Sequence, residues 1–279
     1  MCRHLGYLGP PAALYELLYG PPHSLHTQSY APREQSHGTV NADGFGVGWF
    51  AHPSPATTLS GDAARRGAPP SPATTLSGDA APPEASERPT PLRYRRAMPI
   101  WADASFADAA RAIRSTCVVA AVRDATPGFG MDESCAQPFR GDTWLFSHNG
   151  AAANDEALAE RLGQPPPSGV LDARTPVDSA PLFAHAMRLW RKGEELGEAL
   201  AAVVREARSC SPGRYNLLAA DGERLAGTAV GDTLYTLAGR NGGVYLASEP
   251  FDDDPAWRRV PEGSLVIADH SGVTVTAIA

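Results

Sequence analysis

Cys2 has the most unusual chemical address in this sequence. Trimming of the initiator methionine, expected in the cytosol when a small residue follows it, would place a thiol and a free α-amine on one residue. A thiol of pKa ~8.5 beside an amine of pKa ~8 is a nucleophile with its own base, which accepts the thiol proton directly or through one water near neutral pH. The other cysteines, Cys117, Cys135 and Cys210, lack CxxC spacing, so neither a disulfide framework nor a zinc clip is indicated. Cys117 lies in the apolar run Cys117-Val118-Val119-Ala120-Ala121-Val122 and reads as a small buried hydrophobe.

A thiol that transfers acyl groups needs an oxyanion hole and a grip on its substrate. Asn149-Gly150 offers a carboxamide and a glycine N–H that can converge on a developing oxyanion, although Asn-Gly is also the commonest hairpin turn. Arg123 ends an apolar stretch, where an arginine either reaches for solvent or serves a site; its planar fork suits a carboxylate. Asp178 stands at an expected helix start, where it would cap the helix or receive an ammonium group. Arginine and aspartate together would hold an α-amino-acid head. By contrast, Cys2, His4, His23, His26 and His37 match no zinc spacing, and Asp252-Asp253-Asp254 lacks the spaced ligands and central glycine of a calcium loop.

The elements that must position these residues follow from periodicity and turn chemistry. An N-terminal strand leads into a short amphipathic helix over 12–19, stopped by Gly20-Pro21-Pro22, and then a polar loop from His23 to His37. In Gly44-Phe45-Gly46-Val47-Gly48-Trp49 the alternate glycines predict a strand with one bare face, where another backbone or a ligand comes close. No helix follows, so a phosphate-cradling loop is not expected. Residues 52–91 change character: the eleven-residue stretch at Ser54–Ala64 recurs at Ser71–Ala81 amid Pro, Gly and Arg, and reads as a duplicated, flexible surface insertion. Beyond it we expect a strand at 93–96, a helix at 104–114, a strand at 116–123, and a strand at 144–147 that delivers His148-Asn149-Gly150 into a turn. Helices at 156–162, 177–191 and 195–208 precede an antiparallel meander from Tyr215 onward. Strands, then helices, then strands indicate an α+β layered fold.

With 279 residues, 43% of them apolar, the chain can bury a large core. Its 24 basic and 31 acidic residues give a charge of −7, which argues against a nucleic-acid or anionic-membrane partner and for a small molecule. No apolar run has the length of a membrane span and no secretory signal is legible, so a cytoplasmic location is expected.

Cys2-Arg3, Asn41-Ala42-Asp43-Gly44-Phe45-Gly46-Val47-Gly48-Trp49, Arg123-Asp124-Ala125-Thr126, Asn149-Gly150 and Asp178-Ser179 together resemble the class II glutamine amidotransferases of the N-terminal nucleophile superfamily. More closely, the opening Met1 to Pro11, Pro21-Pro22-His23-Ser24-Leu25 and Ala247-Ser248-Glu249-Pro250 are similar to the γ-glutamyl-hercynylcysteine S-oxide hydrolases of ergothioneine biosynthesis. The likeness covers nearly the whole chain except about residues 52–91. It implies one domain over 2–279, folded as a four-layer αββα sandwich, in which Cys2 attacks a γ-glutamyl amide carbonyl. By the same match Asn149 and Gly150 form the oxyanion hole, Arg123 takes the α-carboxylate, Asp178 the α-ammonium, and Thr126 helps at the glutamyl head. No metal or organic cofactor is implied.

Two departures stand out: Pro127, where many amidotransferases place histidine or glycine, and the duplicated insertion. Amidotransferases that use their ammonia couple this domain to a second catalytic unit, whereas here the sandwich would fill the chain, so a stand-alone hydrolase is expected. The competing readings are a glutaminase passing ammonia to a separate partner and an inactive binding module of the same fold. The oligomeric state is left open, and Trp101 and His23–His37 are where contacts to the leaving group would be sought.

Overall fold

Strand β1 (Cys2–Ala13) runs through the middle of a seven-stranded sheet and its alternation builds two layers at once. His4, Gly6 and Leu8 face a second sheet: His4 Nδ1 lies 3.4 Å from Ser147 Oγ, and Gly6 packs against Leu218. Leu5 and Tyr7 point the other way, into a core shared with helices. A computed structural model describes residues 2–51, 89–126 and 128–279; the duplicated segment and Pro127, both singled out above, lie outside the described residues.

After β1 come α1 (Leu14–Leu18), α2 (Leu25–Gln28), β2 (Gly44–Ala51), β3 (Thr90–Arg96), α3 (Ala104–Ala112) and β4 (Arg114–Arg123). The short helix α2 falls inside the segment expected to be loop; Ser24 caps it by accepting from Thr27 N–H. Strand β3 begins at Thr90, three residues before the expected start. Next are β5 (Phe139–Gly141), β6 (Trp144–Ala152), α4 (Asp155–Leu162), α5 (Ser179–Arg191) and α6 (Leu196–Cys210). The C-terminal part supplies β7 (Gly213–Ala220), β8 (Leu225–Ala229), β9 (Tyr235–Arg240), β10 (Gly243–Ala247), β11 (Arg258–Arg259), β12 (Ser264–Asp269) and β13 (Gly272–Ala277). The expected meander is there as consecutive antiparallel strands, but it divides. Strands β9, β10 and β11 extend the first sheet, in the order β11-β9-β10-β1-β4-β2-β3, while the rest form the second, β13-β12-β8-β7-β6-β5.

Three apolar cores separate four layers. The first, with Leu14, Leu17, Phe106 and Ala110, joins α1 and α3 to the first sheet. The second, with Leu8, Val119, Leu145, Leu218 and Val266, lies between the sheets. The third joins the second sheet to α4, α5 and α6, where Leu196, Ala199, Leu200, Val203, Val204 and Ala207 trace one helical face. This is the αββα sandwich that the resemblance implied. No helix among the described residues is long and apolar enough to cross a membrane.

Two sequence expectations are decided by tertiary contact. The alternate glycines of β2 do provide a bare face. A Cβ built on Gly46 would run into the Gln137 carbonyl oxygen, and one on Gly48 would meet Leu145 at 2.7 Å. Gly46→Ala is therefore expected to destabilise the fold by about 1–3 kcal/mol, read as a lower urea midpoint; an unchanged midpoint would refute this close approach. The turn expected at His148-Asn149-Gly150, in contrast, is not formed. Strand β6 continues to Ala152, with Asn149 opposite Asn216 and Gly150 opposite Tyr215. Asn-Gly favours a turn only when the chain is free to reverse, and here β7, some sixty residues later, holds it extended.

Candidate active site

Cys2 opens β1 directly across from Arg123, the last residue of β4, and Arg123 in turn faces Gly44, the first residue of β2. Cross-strand partners share a face of the sheet, so the Cys2 and Arg123 side chains emerge together on the side turned toward the second sheet. There β6 runs past, and the Cys2 nitrogen donates to Asn149 Oδ1 at 3.2 Å. The start of α5 closes the other side. One small cavity is lined by Cys2, Arg123, Thr126, Gly150 and Asp178, and the Cys2–Asn149 bond places the sixth candidate residue beside them.

Two buried donors at this cavity have no acceptor among the described residues. Arg123 spends Nη2 on the Gly130 carbonyl at 2.9 Å, but its Nη1 is unpaired; Asn149 spends Oδ1 on the Cys2 nitrogen, but its Nδ2 is unpaired. An unsatisfied buried donor costs about 1–3 kcal/mol, a cost that a ligand's oxygen atoms remove. A third donor follows from strand geometry. Antiparallel pairing sends the N–H groups of alternate residues to opposite edges. On the edge of β6 away from β7, Phe146 pairs with Phe139 of β5, His148 N–H donates to Gln137 Oε1 at 2.5 Å, and Ala152 N–H donates to Asp178 Oδ2 at 3.1 Å. Gly150 N–H belongs to the same edge, between Gln137 and Asp178, facing the cavity.

Asp178 precedes α5 but makes no capping bond to it. Its carboxylate is held by Ala152 N–H and by Ser179 Oγ–H at 3.4 Å, and it borders the cavity. The loop carrying Thr126 is fixed by Asp43, whose N–H donates to the Arg123 carbonyl at 2.9 Å and whose Oδ2 accepts from Ala125 N–H at 2.7 Å. The aspartate of Asn41-Ala42-Asp43-Gly44 thus braces the Arg123–Thr126 segment.

Burial pushes the Cys2 thiol pKa up, while the chain's terminal ammonium, Arg123 and the Asp124 backbone N–H pull it partly back, leaving it raised. The resting sulfur is a thiol, and its proton needs a base at the moment of attack. His4, on the same face of β1, is held neutral: burial first, then the charge of Arg3, takes its pKa down to about 3. His23, from the Pro21–Leu25 motif, meets Glu249, from the Ala247–Pro250 motif, at 3.2 Å. The other Glu249 oxygen accepts from the N–H groups of Arg33 at 2.9 Å and Glu34 at 2.6 Å. Two motifs from opposite ends of the chain therefore form one buried brace. Among the described residues no group of three or more His, Cys, Asp or Glu converges as a metal-ligand set. Trp101 is partly exposed, its ring edge-on to Tyr30 at 5.8 Å, and neither lines the cavity.

Sequence reasoning passed over Gln137, Ser179, Phe129 and Cys135, all of which border the cavity. A glutamine before a proline in an irregular segment carries no periodic signal, and Ser179 was read only as the companion of Asp178.

The model of the class-II glutamine amidotransferases matches residues 102–241, half of the chain. The gamma-glutamyl-hercynylcysteine sulfoxide hydrolase of Mycobacterium tuberculosis is 39% identical over 278 residues, 100% of this chain and 97% of that protein. The chain belongs to the class-II glutamine amidotransferases. The protein of the same name from Mycolicibacterium smegmatis is also 39% identical, over 100% of both chains. Among solved structures, the glutamine phosphoribosylpyrophosphate amidotransferase of B. subtilis superposes with a TM-score of 0.65 at 15% identity, over 100% of this chain and 49% of that one. A class-II domain protein from Silicibacter pomeroyi gives 0.60 at 19% identity over 100% of both chains. At these identities the structural likeness speaks for the fold of the family, and the full-length sequence relatives speak for the branch within it.

Proposed function

We propose that this amidotransferase-family chain is a cytoplasmic γ-glutamyl amidase that hydrolyses γ-glutamyl-hercynylcysteine S-oxide to glutamate and hercynylcysteine S-oxide, a step of ergothioneine biosynthesis, through a thioester on Cys2. The observation that carries it is the pair of orphaned buried donors, Arg123 Nη1 and Asn149 Nδ2, beside a buried thiol. Arg123 takes the α-carboxylate of the glutamyl head, Asp178 takes the α-ammonium, and Thr126 borders the head. With Met1 removed, the Cys2 nitrogen is an amine that accepts the thiol proton as sulfur attacks the γ-carbonyl carbon. Asn149 Nδ2 and Gly150 N–H receive the oxyanion. The C–N bond breaks as the amine returns the proton to the leaving nitrogen. Water, deprotonated by the same amine, then cleaves the thioester and releases glutamate. Full-length identity to proteins named for this hydrolysis supports the choice of substrate.

The test is glutamate release from γ-glutamyl-hercynylcysteine S-oxide and, in parallel, from free glutamine. A large preference for the conjugate is expected; equal or better use of glutamine would replace this reading with an ammonia-supplying glutaminase. Arg123→Ala removes a charge-assisted contact of about 1.5–3 kcal/mol, so kcat/KM should fall about 10- to 100-fold, mainly through KM. Unchanged KM would remove the carboxylate role.

A further inference from the structure

Strand β5 pairs with β6 for only three residues, Phe139 with Phe146, Arg140 with Leu145 and Gly141 with Trp144. Extending that register by two residues sets Gln137 opposite His148, yet no backbone ladder forms there. The Gln137 carbonyl turns instead to the first sheet, onto the bare face of Gly46. The Gln137 side chain takes over. Its Oε1 accepts from His148 N–H at 2.5 Å and Ser147 Oγ–H at 2.9 Å; its Nε2 donates to the His148 carbonyl and to Ser179 Oγ, both at 3.2 Å. His148 presents one backbone donor and one backbone acceptor, which fixes the orientation of the carboxamide. A buried primary amide thus stands in for a peptide unit, with its oxygen and both N–H groups engaged.

We propose that Gln137 is a positioning residue for the amidase reaction: its carboxamide ends the β5–β6 ladder one step short of Gly150 and holds the oxyanion edge of β6 at a fixed distance from the sheet that carries Cys2. A continued backbone ladder would carry β5 onto the Gly150 edge. The side-chain surrogate satisfies His148 and stops, leaving Gly150 N–H open between Gln137 and Asp178. The same residue ties three parts of the site together. Its carbonyl rests on β2, beside Arg123 and Cys2; its Oε1 and Nε2 grip β6, beside Asn149; and its Nε2 reaches Ser179, next to Asp178. Ser179 Oγ also lies 3.0 Å from His148 Nδ1, and His148 Nε2 lies 3.0 Å from the Arg214 carbonyl, to which it donates. Loss of the carboxamide frees the β6 edge to shift, which acts on the transition state more than on capture of the glutamyl head.

This assignment rests on the γ-glutamyl amidase reading, and two variants test it in the full chain. Gln137→Met keeps the volume and removes the hydrogen bonds; kcat should fall about 10²-fold, the effect of a displacement near 1 Å, with KM little changed. Gln137→Glu keeps both acceptor bonds but, when ionised, points a second acceptor at the His148 carbonyl. Only the protonated acid can donate there, and burial raises its pKa above the ordinary value. The ratio of variant to wild-type kcat should therefore climb as pH is lowered, a response that simple space filling would not produce. Hydrogen exchange gives a readout free of activity: the His148 amide should exchange faster in Gln137→Met, while the β7–β8 amides stay protected. Wild-type kcat in Gln137→Met, a flat ratio in Gln137→Glu, or unchanged exchange at His148 would each overturn the proposal. If the wild type released no glutamate from any γ-glutamyl amide, the functional reading would fail, while the exchange result would still decide whether Gln137 holds the edge. Should Gln137→Met not fold, Gln137→Glu carries both the kinetic and the exchange tests.

Discussion

Cys2→Ala is expected to lower glutamate release by at least about 10⁴-fold, because a covalent route has no substitute once its nucleophile is gone. The fold should survive. Cys2 is the first residue of its strand, its backbone nitrogen remains available to Asn149 Oδ1, and a single sulfur is lost from a site that already borders a cavity. Intact-mass analysis of wild-type protein during turnover should show a transient adduct on Cys2, absent from the variant, with closely similar melting curves. The amine matters as much as the sulfur. The thiol is raised above its ordinary pKa by burial, so most of it is protonated at neutral pH and attack depends on a base within reach. Protein that keeps Met1 has an amide nitrogen at Cys2 in place of the amine and should be as inactive as Cys2→Ala. Full activity with an untrimmed terminus would sink the mechanism.

Asn149→Ala is expected to cost about 2.7–4 kcal/mol of transition-state stabilisation, seen in kcat, if its carboxamide is one wall of the oxyanion hole. The side chain has two jobs in the structure: Oδ1 accepts from the Cys2 nitrogen, and Nδ2 waits without a partner. Asn149→Asp separates them, since it keeps an acceptor for the Cys2 nitrogen and loses the donor. If the donor carries the effect, both variants should lose kcat to a similar extent with KM nearly unchanged. Near-normal kcat in Asn149→Asp would instead assign Asn149 to holding the nucleophile's nitrogen.

The sequence motifs led to residues that the fold gathers at one cavity, for reasons that did not always survive. Asn149-Gly150 was attractive for its chemistry and ambiguous for its structure. It sits in the middle of a strand, and that placement opens the Gly150 N–H to the cavity by alternation along β6. Asp178 was expected at a helix start and is there, but it spends its carboxylate on β6 and leaves the helix uncapped. The glycine run of β2 was legible as a bare face, and its partner, the Gln137 carbonyl, was not. Gln137 itself gave no signal, because a buried polar residue in an irregular segment is recognisable only by the groups it satisfies.

From the amino-acid order alone came a candidate nucleophile with a base on the same residue, the period-two strands and amphipathic helices that demand a layered fold, and the residue types able to hold a glutamyl head. These depend on composition and on contacts a few residues apart, so they can be read without a partner in view. The pairing of β1 with β4 that sets Cys2 beside Arg123, the run of β6 past both, and the division of the C-terminal strands between two sheets were decided only in three dimensions. The contacts of Cys2 among them join residues more than a hundred positions apart. They are selected by shared cores and by the need to satisfy every buried backbone group, and no local stretch of chain encodes either.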